Sequence, residues 1–514
     1  MSRKTFLQPL FLVILTLLHN VFFWEEDLGL NGFLFGNLIL FATIYLYCPR
    51  PYTQFLKTKP LILLFVLGTF LMNCVLLYHN TLNSKITWIL SLTATIAYLQ
   101  NHKLKQLFNA WIFFYINLVS SLKYLLPTLS DNFKGLSPKS KKLKTYNRKM
   151  GLLVVPIIIF IIFYGIFLFA NPVFASYNEK FLDNLIEFFA HFFENISFAR
   201  LLFGFLGLLL VSSFIYRWKI DTTFAQTSIP DKFQIERRPN KLQIGRLFKT
   251  LDLKNEAQIA MLTIGSVNVL LLVINFIDIR FLWFGFEPST DVRLAKLVHE
   301  GTYILIFSIL LSMGILFYYF RQNLNFYTRN KFLQKIAYLW LFQNGILLIS
   351  VLLRCYYYIQ EHGLAYKRIG VILFLILTLI GLVSVYHKIK AKKTAYYLLH
   401  INSIALYILL LFTSFMNWDV LIVSFNFNHP NLNKGSIDIP FMLSRSHSTI
   451  PIVQANAHKL DMTAEAKSEY YSGLISRKNR LDNQKEEFVN YYKKLSWLSW
   501  NYTSDKVYEQ LLKK

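Results

Sequence analysis

The residues whose types and spacing could do chemistry lie between two apolar runs, in the segment 173–199. There Glu179, Asp183, Glu187 and His191 follow one another at intervals of four, so on a helix they share one face. Carboxylates and an imidazole at this spacing could bind a metal ion or relay protons. Alternatively, the segment is an amphipathic helix that lies on a bilayer, whose water-exposed face shows the same pattern without binding a ligand. The sequence favours that second interpretation, so Asp183, Glu187 and His191 are metal-ligand candidates only.

A second group of candidates is Asn275, Asp278 and Arg280, at the end of an apolar run. A charge at the centre of a bilayer costs about 2.5 to 3.5 kcal/mol, which makes an intramembrane charge a functional hypothesis. These two charges fall at the boundary, where long side chains reach water. Positions i and i+2 also do not face each other on a helix. A structural role is therefore favoured over a functional one.

Polar residues also occur inside apolar runs, and most of them are amides. Amide side chains within a membrane more often bond a neighbouring helix than a substrate. We also expect Arg354 to extend towards water from the end of its run. Helix contacts of this kind are predicted for Asn73, Asn268, Gln343, Asn344, His400 and Asn402.

The sequence contains no recognisable catalytic motif. It lacks G-x-S-x-G, H-E-x-x-H, the Walker A sequence and G-x-G-x-x-G. His429, His447 and His458 have neither metal-ligand nor triad spacing, and the three cysteines have no CxxC or Cys/His spacing. The sequence therefore indicates a non-enzymatic protein without a cofactor, although membrane enzymes can assemble their sites from distant spans.

The elements that must position these residues are transmembrane helices. Hydrophobic residues make up 54% of the 514 and charged residues 16%, against about 25% charged in soluble domains. About eleven runs have the roughly 17 to 25 residues that cross a bilayer. They predict an all-α fold, a polytopic transmembrane helical bundle with a small helical C-terminal extramembrane domain. The runs are 6–24, 28–48, 61–79, 86–99, 152–170, 198–218, 257–276, 303–320, 336–356, 369–386 and 396–415.

The net charge of +26 comes from Lys and Arg in the loops between runs, where charge sets orientation. No nucleic-acid partner is therefore predicted, and the partner is the lipid bilayer. If the polar segment 108–127 is an interfacial or re-entrant helix, the basic loops all fall on one side. This predicts a cytoplasmic N-terminus and an extracytoplasmic C-terminal domain. If the segment crosses, the basic groups up to Lys105 oppose the rest.

Four regions follow from this pattern. Residues 1–130 form an N-terminal transmembrane region with one interfacial helix, and 131–256 hold a basic loop, two spans, the amphipathic segment and a cytoplasmic loop. Residues 257–416 form a C-terminal transmembrane bundle. Residues 417–514 form the helical extramembrane domain, in which 463–494 has a long helical pattern.

Several short motifs lie in the second half of the chain. They are FN at 425–426, IDIPFMLS at 437–444 followed by Pro451, WLSWN at 497–501, and a hairpin 268–285 followed by VHEGTY at 298–303. The chain from Ala257 onward resembles a bacterial polytopic membrane family described only as a domain of unknown function, numbered 4153 and 4173. The resemblance implies a bacterial cytoplasmic (inner) membrane protein and brings no activity. It marks as signature residues Glu300, Asp438, Trp497, Trp500 and Asn501.

The terminal motif also permits a packing prediction. Trp497 and Trp500 are three residues apart and would share a helix face, and large aromatics so near a chain end are usually buried. We expect them to pack on the helix that contains Leu443 and Pro451. Asn501 is expected to bond backbone groups before a final helix that begins near residue 504.

Three functions remain open from the sequence. The first is a non-enzymatic membrane protein whose outer domain engages an envelope partner or senses a condition. The second is a transporter or lipid-handling protein, for which the span number is typical but paired broken helices in two matching halves are not found. The third is a membrane enzyme that acts on envelope precursors.

Overall fold

A computed structural model describes residues 3–134, 160, 164, 197–218, 233–235, 253–284, 291–320, 323–327, 330–434, 437–460 and 472–513. Contacts divide the chain into two compact units. The first unit contains Met1–Thr227 and Lys494–Thr503, and the second contains Ser228–Lys493 and Ser504–Lys514. Each unit therefore combines a continuous stretch of chain with a short segment near the C-terminus.

Helices that pack side by side build the first unit. Gln8 on the first of them donates to the carbonyl of Ile215 on the last, at 3.2 Å, while Arg200 of the last donates to Asn20 of the first. These two helices are therefore antiparallel. The described helices are α1 (Arg3–Phe23), α2 (Leu30–Tyr47), α3 (Tyr52–Thr58), α4 (Pro60–Tyr78), α5 (Leu82–Gln100), α6 (Leu107–Lys134) and α7 (Phe198–Ile215).

α5 is surrounded by other helices. A capping box formed by Thr81 and Ser84 begins it, and 13 of its 19 residues are buried. Thr95 shares a hydrogen bond of 2.7 Å with Thr69 on α4 and donates to the carbonyl of Phe65. Because protein covers this helix, it can be rich in Ser and Thr, which explains why run 86–99 is short in the sequence.

α6 covers the segment predicted to be interfacial or re-entrant. It packs on α5 and on the carboxyl end of α7, where the Asn117 amide donates to the carbonyls of Ser213 and Tyr216, both at 2.9 Å. The Asn117 oxygen accepts from the backbone N–H of Trp218. The polar residue of this segment thus caps the end of α7. Whether α6 crosses a bilayer stays a prediction.

The second unit contains a bundle of long helices. Asn268 on the first helix lies against Ile336 of the third, and Asn275 lies against Gln343, so these two helices are parallel. Trp340 and Phe320 are completely buried in the core of this bundle. The helices are α8 (Leu253–Asp278), which continues into a π-helical turn (Ile279–Trp283), α9 (Asp291–Tyr319), α10 (Asn330–His362), α11 (Tyr366–Lys390) and α12 (Ala395–Ser414).

Shorter helices follow the bundle in residues 417–514, of which Lys494–Thr503 belong to the first unit. Leu481 and Phe488 of the longest of these helices pack in a core with Met442, Leu443 and Val453. Residues 463–471 of the predicted long helix lie outside the described part. The described helices are α13 (Trp418–Phe427), α14 (Ile439–Leu443), α15 (Ile450–Ala455), α16 (Ala457–Leu460), α17 (Ser472–Lys494) and α18 (Tyr502–Leu512).

The all-α fold predicted from the sequence is confirmed. Ten of the predicted apolar runs are helical, and of run 152–170 only Phe160 and Tyr164 are described. Among the described residues, seven helices are long and apolar enough to cross a membrane, and three shorter apolar helices occur. The count of about eleven spans stays a prediction.

Candidate functional site

A 3-10 turn, Trp497–Ser499, fixes the segment before α18 to the loop between α1 and α2. The Ser499 hydroxyl accepts from the backbone N–H of Asp27 at 2.9 Å and donates to the carboxylate of Glu26. The carbonyl of Trp500 accepts from the N–H of Leu30 at 3.0 Å. The contact therefore uses the backbone and one small hydroxyl of the turn.

The loop that receives this turn is itself held in place. The Asn31 side chain is completely buried, accepts from the N–H of Gly29 at 2.8 Å and donates to the carbonyls of Phe22 and Asp27. A Cβ on Gly29 would lie 2.4 Å from the carbonyl oxygen of Trp500. The close approach of the two backbones therefore requires glycine at this position.

The two tryptophans of the turn point outward. Trp497 is 67% exposed and Trp500 37%, whereas Leu498 and Ser499 between them are buried. The prediction that both tryptophans are buried is wrong. Residues three apart share a face on a 3-10 turn, but here the opposite face makes the contact. Leu443, their predicted partner, instead accepts from Gln484 of α17 at 2.8 Å.

Two tyrosines extend this exposed surface. Tyr502 stacks on Tyr78 at the end of α4, with 5.6 Å between ring centroids, and Thr503 donates to the carbonyl of Tyr78. Asn501 is buried and α18 begins at Tyr502, close to the predicted start of the final helix. We call the exposed rings of Tyr78, Trp497, Trp500 and Tyr502 the terminal aromatic patch.

The two ends of the first unit differ in the basic residues of their loops. The end that carries the terminal aromatic patch holds Glu25, Glu26 and Asp27 in the loop between α1 and α2, with Lys85, Arg200 and Lys494 on helices at the same end. At the other end, Tyr47 of α2 and Gln100 of α5 both donate to backbone carbonyls at the end of α7. The basic residues of the first unit's described loops and of the short helix α3 lie at this second end: Arg50, Lys57, Lys59, Lys103, Lys105 and Arg217.

A seam of polar side chains joins the parallel helices α8 and α10 in the second unit. Gln343 donates to Asn268 at 2.9 Å, and Asn275 donates to the carbonyl of Gln343 at 3.0 Å. Farther along, Arg354 and Asp278 form an ion pair of 2.6 Å with both side chains largely buried. The prediction that amides in these runs bond neighbouring helices therefore describes Asn268 and Gln343 correctly.

The ion pair corrects the expectation for Arg354. Arg280 is exposed, and the partner of Asp278 is Arg354, which was expected to extend towards water. One oxygen of Asp278, the Nε of Arg354 and the Asn275 oxygen are buried without a hydrogen-bond partner. Both helices carry polar residues seven apart, Asn268 and Asn275 on one and Gln343 and Ser350 on the other. That spacing is a signal from which the pairing could have been found.

Asn426, in the FN motif at 425–426, attaches α13 to the loop between α10 and α11. Its side chain accepts from the N–H of Leu364 at 2.6 Å and donates to the carbonyl of the same residue at 3.0 Å. Gly363 beside it has a φ of +73°, and a Cβ there would lie 2.5 Å from the Asn426 oxygen. Next to this contact, His429 is buried, and burial lowers the pKa of its imidazole. Its Nδ1 accepts from the N–H of Asn431.

The remaining predicted site residues have other surroundings. Asp438 caps α14 by accepting from the N–H of Phe441 at 2.8 Å. Glu300 lies within α9, with its side chain outside the description, and Asp183, Glu187 and His191 lie outside the described residues. No group of three or more His, Cys, Asp or Glu side chains that could hold a metal ion occurs in the described part of the chain.

Comparison with known proteins identifies a family but no activity. The family described as "Domain of unknown function (DUF4153)" matches residues 35–455. No curated protein and no solved structure matches the chain.

Proposed function

The chain belongs to the DUF4153 family, and we propose that it is a non-enzymatic multi-pass membrane protein that presents a docking surface to a protein of the cell envelope. The docking surface is the terminal aromatic patch. The observation that carries the proposal is a rigid turn whose tryptophans are exposed.

Exposed tryptophans on a fixed backbone are the usual composition of a binding hot spot. Trp and Tyr dominate the energetics of protein interfaces, and a partner gains most from residues that lose little freedom on binding. Here Ser499 and the carbonyl of Trp500 hold the turn, so the Trp497 ring is displayed without a flexible backbone. Burial of a large aromatic side chain at an interface would then be favourable.

The charge distribution supports an extracytoplasmic position for this patch. Basic loops stay in the cytoplasm, and in the first unit the patch lies at the end opposite to them. This argument does not depend on how many spans the chain makes between residues 135 and 196. It supports the predicted cytoplasmic N-terminus and extracytoplasmic C-terminal domain, in a bacterial cytoplasmic membrane.

Site-specific photo-crosslinking in cells tests the proposal. A photoreactive phenylalanine analogue at Trp497 should give one discrete protein adduct, and Trp500→Ala in the same chain should weaken that adduct. The matched control places the analogue at Leu512, which is also well exposed. Adducts with lipid alone would contradict the proposal and would make the patch a bilayer anchor of the aromatic-belt type.

A second candidate function is passage of a solute or ion, and the polar seam of the second unit favours it. Buried oxygens of Asn275 and Asp278 without partners are the kind of group that water or a cation satisfies. Flux across liposomes that contain the protein would test this candidate. Asp278→Asn should abolish such flux, and Arg280→Gln, at an exposed neighbour, should not.

A further inference from the structure

A groove of about 360 Å³ opens on the second unit between α9, α11 and α12. Its walls are almost entirely apolar and include Phe317 and Leu398. Two glycines shape it. A Cβ on Gly314 would meet no atom within 4 Å, and a Cβ on Gly381 would lie 3.3 Å from the sulfur of Met313. The groove therefore suits hydrocarbon better than a polar ligand.

The depth of the groove matches one leaflet of a bilayer. On α11 its lining extends from Phe374 to Val385, a distance of about 16 Å at 1.5 Å per residue. Half of a hydrocarbon core is about 15 Å. Val385 lies near the end of α11 at Lys390, so the groove begins at the helix ends and reaches the middle of the bundle. An acyl chain from one leaflet has this extent.

Lysines surround the end at which the groove begins. Lys388 is buried and donates to the carbonyl of Phe320 at 2.6 Å, so it caps the carboxyl end of α9. Lys390 is exposed on the last turn of α11, and Lys392 is half-buried with its ammonium 4.6 Å from the ring centroid of Phe326. Lys390 and Lys392 thus place positive charge at the end of α11, five and seven residues beyond Val385, the last groove residue of that helix.

Carboxylates are missing from the same stretch of sequence. No Asp or Glu occurs between Glu300 and Glu361, or between Glu361 and Asp419. At this end, the helices α10, α11 and α12 and the loops that join them carry no carboxylate that could neutralise the lysines.

Acidic residues come close to this end only on other segments: Glu256 lies in the first turn of α8, and Asp231 and Glu236 flank in sequence the segment 233–235, whose Ile235 N–H donates to the carbonyl of Lys392. The lysines of this end outnumber them: Lys331, Lys335, Lys388, Lys390, Lys392 and Lys393. An anion can complement this excess of positive charge, and basic pockets between spans on the cytoplasmic side bind anionic lipid head groups.

We propose that this groove binds one acyl chain of an anionic phospholipid from the leaflet at the basic end of the second unit. The lipid phosphate lies beside Lys390 and Lys392, and the chain runs past Gly314 towards Phe374. This site is separate from the terminal aromatic patch and from the polar seam. The test of lipid binding therefore does not depend on the proposed function.

Lipid binding to the purified full-length protein tests the proposal. The protein is stripped of lipid in detergent and titrated with phosphatidylglycerol or with phosphatidylcholine of the same chains, and bound lipid is counted by native mass spectrometry. Gly314→Leu fills the groove, and Gly370→Leu is its control, because a Cβ there also meets no atom within 4 Å and the position is exposed on the same helix as the lysines. Lys390→Gln with Lys392→Gln removes the charges, with Lys367→Gln at the other end of α11 as control.

The wild-type protein should bind one phosphatidylglycerol more tightly than phosphatidylcholine. Gly314→Leu should reduce binding of both lipids at least about tenfold, while the double lysine variant should weaken phosphatidylglycerol alone by about 25-fold, roughly fivefold for each lysine. Equal binding by Gly314→Leu and Gly370→Leu would overturn the groove as the site. Equal weakening of both lipids in the lysine variant would overturn the role assigned to the phosphate. The lysines are at the helix ends, so their variants keep the test valid should Gly314→Leu fail to fold.

Discussion

Asp278 and Arg354 are far apart in the sequence, and parallel packing of α8 and α10 brings them into contact. Neither charge is costly alone at a membrane boundary, but both side chains are largely buried here. The partner of each charge is therefore the main compensation for its lost hydration. Such a contact depends on the register between two helices, so it could not be read from either apolar run by itself.

Removal of one partner of this pair should destabilise the second unit. Arg354→Gln leaves a buried carboxylate uncompensated, and we expect a loss of about 3 to 5 kcal/mol. The double variant with Asp278→Asn should recover part of that loss. Thermal unfolding of the detergent-purified protein measures the difference, and Arg280→Gln should stay within about 0.5 kcal/mol of the wild type. Equal effects of Arg280→Gln and Arg354→Gln would show that the ion pair does not stabilise the fold.

A methyl group at Gly29 should release the terminal turn. The Cβ of Gly29→Ala would lie 2.4 Å from the carbonyl oxygen of Trp500, a backbone atom that cannot move without the turn. Limited proteolysis should then cut near 494–503, where the wild-type protein resists. Gly265→Ala is the control, since its Cβ meets nothing within 4 Å. An identical digestion pattern for both variants would contradict the docking described for Ser499 and Trp500.

The positions of the helices could be predicted well from the sequence, and the contacts between them poorly. Periodicity and length found α4, α8 and α11 because an apolar helix must have that composition to face lipid. The burial of α5 was not predictable, because its Ser and Thr lower the hydropathy that marks a span. The terminal turn was predicted to pack by its tryptophans, since their size suggests burial, but a hydroxyl and backbone groups make the contact. Hydrogen bonds from backbone groups and from one hydroxyl cannot be recognised from amino-acid composition.

The attachment of α13 should weaken at acidic pH. Burial lowers the pKa of His429 below its ordinary value of 6.5, and Glu361 and Arg368 act on it in opposite directions. The unfolded chain therefore binds the proton more readily, so the stabilisation is present above pH 6.5 and is lost as the pH falls through the lowered pKa. The protection of residues 418–434 against hydrogen exchange, relative to the intrinsic rate at each pH, should be lower at pH 5 than at pH 7.5. His429→Asn keeps an acceptor for Asn431 and should remove this dependence, whereas His458→Asn, at an exposed site, should keep it.

At the scale of the whole molecule, sidedness can be tested directly. Reporter fusions after Lys105 and after Lys149 should both read as cytoplasmic, because the basic loops stay inside. A fusion after Lys514 should read as extracytoplasmic. Opposite signals from the first two fusions would make α6 a true span, and a cytoplasmic signal from the last would overturn the side assigned to the terminal aromatic patch.

Because residues 494–503 belong to the first unit, that unit can finish folding only after the chain has been synthesised to residue 503. The 266 residues 228–493 must be synthesised after the first helices and before the segment that completes their unit. At the usual rate of synthesis this delay is roughly 15 to 50 s. During that time the loop of Gly29 and Leu30 lacks its partner, and a chaperone or a protease could bind there. Nascent chains that stop before residue 494 would therefore keep an incomplete first unit, in which the Leu30 N–H lacks the carbonyl of Trp500.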